Sequence, residues 1–106
     1  MAFLNKLRVD GTDYDIKSSI TFTDKTVSSW AAVASSESDY FEDYPYRGTI
    51  NCSGATVDHI PFVVFSPNDA ISGKYASVAK SDLNKIYIYG IDNDLSPSIL
   101  NIICVR

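Results

Sequence analysis

Residues 37–54, ESDYFEDYPYRGTINCSG, hold the densest set of side chains that could do chemistry: Glu37, Asp39, Glu42, Asp43, Tyr40, Phe41, Tyr44, Tyr46 and Arg47. Two carboxylates can hydrolyse a glycoside when a dry cleft raises the pKa of one of them. These four stand in a polar, turn-rich stretch, so a solvated acidic face is the expectation. His59 is the single histidine, with no Cys, Glu or second His at ligand spacing, and it reads as a loop or strand-edge residue. A Ser/His/Asp site can be assembled in space from distant residues, but no GxSxG elbow supports one. Asp92, Asn93, Asp94 and Ser96 resemble the start of a calcium loop. Pro97 stands where the loop needs Gly and Ile103 where it needs Glu, so the stretch reads as a turn. Asn51-Cys52-Ser53 fits the glycosylation pattern only formally, inside an expected strand. No catalytic residue, metal ligand or cofactor is therefore expected. The candidates for contacting something are Asp39, Tyr40, Phe41, Tyr44 and Tyr46, because tyrosines among polar neighbours give broad, rigid contact area at low entropic cost; packing into the core is the equal alternative for some of them.

A chain of 106 residues with 45% hydrophobic and 21% charged residues is expected to be one soluble globular domain. Seven Tyr, five Phe and one Trp lean it toward β structure. The formal charge of −4 and nine scattered basic residues argue against nucleic acid and against a polybasic membrane anchor. No apolar run reaches the roughly 20 residues of a spanning helix. The N-terminal residues MAFLNKLRVDG have neither a basic leader nor a long apolar segment, so synthesis in a cytoplasm is expected. In that setting Cys52 and Cys104 read as buried, reduced thiols.

The hydrophobic periodicity supplies the elements. Leu7 and Val9, then Tyr14 and Ile16, alternate around Asp10-Gly11 and predict a hairpin within residues 1–18, with the main domain at 19–106. Its apolar set, Phe3, Leu4, Leu7, Val9, Tyr14 and Ile16, is too thin to hold a free ribbon, so docking on something is expected. SITFTD predicts a strand with Ile20 and Phe22 on one face, and WAAV reads as a strand containing a mostly buried Trp30. Residues 35–43 read as a surface loop. Tyr46, Gly48, Ile50 and Cys52 alternate as a strand, and the continuous run IPFVVFS predicts one buried on both faces. Ser66-Pro67-Asn68-Asp69 is a helix start, followed by Ala70, Ile71, Tyr75 and Val78 near helical spacing; Gly73 makes that helix short or broken. KIYIYGI and SILNIICVR are strands expected to pair as a hairpin through Asp92-Asn93-Asp94. The sum is an all-β antiparallel sandwich with one short helix and an N-terminal hairpin.

The order of landmarks carries a resemblance: Trp30, YPYRGTINCSGAT, IPFVVFSPNDAISGKYASVA, KIYIYGI and the terminal SILNIICVR. About residues 27–106 resemble a small β-domain found at the ends of fibre, baseplate-associated and head-fibre-like virion proteins of tailed bacteriophages. LRVDGTDYDIKSS is similar to the opening that often precedes such domains. The resemblance implies a non-enzymatic virion structural or attachment protein, made in a bacterial host cytoplasm and residing in the virion. Its implied partners are itself, as a homo-oligomer with a trimer favoured, and other virion proteins. The other function open to these residues is a carbohydrate- or cell-surface-binding module that uses the Tyr-rich loop on a host surface glycan. The resemblance places no nucleophile or metal site on these positions.

Overall fold

The computed structural model describes the strands at 6–9 and 12–15 and all residues from 19 to 106. Strand β1 (Lys6–Val9) pairs antiparallel with β2 (Thr12–Asp15) as a separate two-stranded sheet. Its register sets Leu7 against Tyr14 and Arg8 against Asp13, as the alternation predicts. The expected Asp10-Gly11 turn and the flanking residues 3–5 and 16–17 lie outside the described residues.

Two antiparallel sheets pack face to face to make the body. One runs β3 (Ser19–Phe22), β9 (Ile99–Val105), β6 (Ile60–Phe65); the other runs β4 (Ser29–Ala32), β5 (Tyr46–Asn51), β8 (Lys85–Gly90), β7 (Tyr75–Asp82). The core between them is built by strict alternation. Ile50 comes from β5 and Cys52 from just past its end, Ile86 and Ile88 from β8, Ile102 and Cys104 from β9, and all six are fully or almost fully buried. Burying each of the larger of these contributes about 1.5–3 kcal/mol, which makes this seam the main source of stability. Both cysteines are free thiols within it. Burial pushes the Cys52 thiol up to about 11 and raises that of Cys104.

Three expectations are corrected. First, β8 and β9 do not form a hairpin. Each buries an apolar row, and the core needs those rows facing each other, so the chain crosses from one sheet to the other between them. The hairpin partner of β8 is β7, joined to it at Leu83 and Asn84, where Asn84 takes the left-handed φ of 59°.

Second, the helix α1 (Pro67–Ile71) ends early and its expected continuation is strand β7. Gly73, at φ +75°, turns the chain away from helix. The pairing of β7 shifts between Tyr75 and Ala79, and that irregularity destroys the alternation that would have marked a strand.

Third, β6 is not buried on both faces. It is an edge strand whose Val63 and Phe65 pack toward the core, while Ile60 (59%), Phe62 (45%) and Val64 (39%) are exposed.

Trp30 is mostly buried, as expected, and packs against the core. It lies over the backbone of Gly48 and Gly90 at the margin of the core, and its indole N–H donates to the Leu95 carbonyl at 2.8 Å.

The helix start forms as its residues predict, with one difference. The Ser66 hydroxyl donates to Asp69 (3.0 Å) and makes no bond to a helix N–H. The same Asp69 oxygen accepts the Ser98 N–H at 2.6 Å, tying the helix to the approach of β9.

Candidate functional site

Residues 35–45 form a loop of turns between β4 and β5. One carboxylate anchors it. Asp39 Oδ2 accepts the Tyr89 hydroxyl at 2.8 Å and Arg47 Nη1 at 3.2 Å, and the Asp39 side chain is only 11% exposed. Register explains the convergence: Arg47 and Tyr89 are cross-strand partners in β5 and β8, so their side chains share the outer face of the four-stranded sheet. Burial pushes the Asp39 carboxyl up. The bonds from Tyr89 and Arg47, with the charges of Arg47 and Lys80, outweigh that and leave it below the usual value. The Tyr89 hydroxyl moves the other way, raised by burial and by its bond to Asp39.

The network extends along the sheet. The Arg47 guanidinium lies 4.7 Å from the centre of the Tyr87 ring, and Glu37 approaches it at 3.8 Å. Tyr87 donates in turn to Asp82 at 3.0 Å. Phe41 closes the loop over Tyr89, edge to face with ring centres 5.0 Å apart. Four charged and three aromatic side chains thus fasten the loop down.

The fastened loop presents a groove. Tyr40, Phe41, Glu42, Asp43 and Tyr44 line one wall; Gly73 and the start of β7, including Tyr75, line the other. The Tyr44 hydroxyl spans the walls to the Gly73 carbonyl at 3.4 Å. Tyr75 stacks on Phe65 with ring centres 4.9 Å apart, which sets the far wall against β6. Burial and the nearby Asp69 charge raise the Tyr75 hydroxyl above its usual value.

Of the five residues expected to contact a partner, Tyr40, Phe41 and Tyr44 come together on this groove. Asp39 does not: its Oδ2 is engaged inside the chain by Tyr89 and Arg47, and it acts as the anchor. Tyr46 does not either, because as the first residue of β5 it shares the face of Gly48 and Ile50, opposite to Arg47. The expected solvated acidic face loses Asp39 for the same reason. Arg47 belongs to the chemistry-bearing stretch of the sequence but not to the expected contact set, and nothing in the sequence marks Tyr75, Tyr87 or Tyr89 as site residues. The alternation IYIYG did signal two tyrosines on one face, and a buried phenol needs an acceptor. Tyr75 gave no such signal, since its segment read as helix.

His59 is buried, and its Nδ1 accepts the Thr56 N–H at 3.1 Å. Its carbonyl accepts the Ser81 hydroxyl, which clamps the start of β6 to β7. That is a structural role at a strand edge, as its isolation in the sequence predicts. Among the described residues no three His, Cys, Asp or Glu side chains gather as a metal ion would need. Comparison of the chain with protein-family models, with curated proteins and with solved structures found no match.

Proposed function

We propose that this chain is a non-enzymatic structural or attachment protein of a bacteriophage particle, working through its surfaces. The observation that carries the reading is the apolar row Ile60, Phe62 and Val64 on the outer side of edge strand β6. An edge strand left to itself in water is normally blunted by charge, because an apolar edge invites association. A sandwich that keeps such a row is suited to assembly, in accord with the resemblance of residues 27–106 to virion β-domains. The N-terminal ribbon, a sheet of its own, is a second docking element on this reading. The test is mass spectrometry of purified particles from the virus that encodes the chain. The chain is expected as a stoichiometric component, and its absence from particles would overturn the reading.

A second reading has an observation of its own. The groove between Tyr40–Tyr44 and Tyr75 offers aromatic faces beside the carboxylates Glu42 and Asp43, a combination suited to a sugar ring and its hydroxyls. In that case the chain is a module for a host surface glycan. Glycan-array binding that Tyr44→Ala abolishes would favour it; a blank array would remove it.

A further inference from the structure

The loop that Asp39 fastens ends in a tight turn. The Tyr44 N–H donates to the Phe41 carbonyl at 2.9 Å, so Glu42 and Asp43 are the central residues of a β-turn flanked by two aromatic rings. Both acidic residues are exposed, and both line the groove with Tyr40, Phe41, Tyr44 and Tyr75. The other carboxylates nearby are engaged within the chain. Glu37 and Asp39 share Arg47, and Asp69 accepts the Ser66 hydroxyl and the Ser98 N–H. Among the described residues neither Glu42 nor Asp43 forms an ion pair. Lys74 adjoins Gly73 in sequence, but it is exposed and lies outside the lining.

An acidic turn by itself is a solvated surface. This one is set among the rings that build the groove. The face of an aromatic ring is its negative pole and attracts a cation held within about 6 Å. The chain uses the same chemistry internally, where Arg47 lies 4.7 Å from the centre of the Tyr87 ring. Rings and carboxylates thus favour the same kind of guest. A sugar bearing carboxylate, sulfate or phosphate would be repelled by Glu42 and Asp43, and among the described residues it would meet no Lys or Arg in the lining. A neutral sugar would gain nothing from their charge, whereas a positively charged guest satisfies rings and acids together. The groove, about 640 Å³, falls within the range of about 300–1,000 Å³ typical of small-ligand sites.

We infer that this groove binds an organic ammonium group carried on a saccharide, with the cation between the tyrosine rings and the Glu42 and Asp43 carboxylates. The inference rests on the glycan reading of the groove given above and names the chemical class of that glycan. Two carriers share the chemistry: an amino sugar whose nitrogen is not acetylated, and a glycan substituted with choline.

The test is an NMR titration of the full chain, followed on its tyrosine resonances, with glucosamine, N-acetylglucosamine, glucose and choline chloride. It is run at about pH 6, where a sugar amine, like an α-amino group, is protonated. Glucosamine, choline or both should bind at least about tenfold more tightly than the two neutral sugars, because acetylation removes the charge and leaves the ring. The tighter of the two identifies the carrier. Glu42→Gln combined with Asp43→Asn should reduce that margin at least about threefold, and circular dichroism establishes that the variant is folded. Equal binding of glucosamine, choline and N-acetylglucosamine, binding of neither cation, or a margin untouched by the double substitution would overturn the inference. So would Nα-acetyl-lysine amide bound as tightly as the preferred carrier, since the partner would then be a protein side chain. The glycan reading is judged separately: an array on which neutral or acidic glycans alone are held, and lost with Tyr44→Ala, leaves that reading standing while the ammonium assignment falls.

Discussion

Two donors converge on one oxygen of Asp39, so that carboxylate should be the residue whose removal is most felt outside the core. Tyr89→Phe deletes one charge-assisted bond and should cost about 1.5–3 kcal/mol by denaturant titration. A double-mutant cycle with Asp39→Asn should return a coupling of about 0.5–3 kcal/mol; no coupling would mean that the Tyr89–Asp39 bond does not help to hold the loop. The linkage sign follows from the lowered Asp39 value. The folded state binds that proton less readily than the unfolded chain. Its contribution is full above the ordinary value of 3.8 and fades as pH falls through the lower folded value. Asp39→Asn should flatten this acid limb, measured as denaturation midpoint against pH between about 5 and 2.

At the scale of elements, β4 and β5 approach closely because Gly48 has no side chain. A Cβ there would meet the Trp30 ring at 3.0 Å, and that ring is held in place by its bond to Leu95. Gly48→Ala should therefore cost about 1–3 kcal/mol, with a shift in tryptophan fluorescence; an unchanged midpoint would show that Trp30 can swing away. The edge strand β7 offers a second check. Its register break leaves residues 76–78 outside the ladder, whereas Ile86 and Ile88 of β8 pair on both sides. Amide hydrogen exchange should be at least about a hundredfold faster at 76–78 than at 86–88. Equal protection would mean that the irregular part of β7 is covered.

For the whole molecule the buried thiols set the alkaline limit. Both are held protonated in the core, Cys52 up to about 11 against an ordinary 9.0. A raised value means full stability below about pH 9 and loss as pH climbs toward the folded value, because the unfolded chain releases those protons first. The raised Tyr89 hydroxyl adds to the same limb. The urea midpoint should fall between pH 8 and pH 11, and Cys52→Ala should make that fall shallower. Disulfide-exchange reagents should label neither cysteine in the folded chain and both after unfolding. Rapid labelling of the native protein would place a thiol at the surface.

Local pattern alone determined the class of this protein. Strict alternation in residues 46–52 and 85–90 named those strands and the side of each that faces the core, because period two needs no knowledge of neighbours. Turn and cap residues placed the helix start at Ser66-Pro67. Alternation does not say which sheet a strand joins, so from sequence the crossing from β8 to β9 is indistinguishable from a hairpin. The register break in β7 inserts residues that break the period, which hid that strand. Whether an apolar run is covered on both sides depends on the number of layers above it, so the exposure of Ile60, Phe62 and Val64 was decided by the tertiary structure. The same holds for Asp39. Its type and loop suggested an outward-facing contact, and only the folding of that loop across β5 and β8, where Arg47 and Tyr89 stand side by side, turned the carboxylate inward.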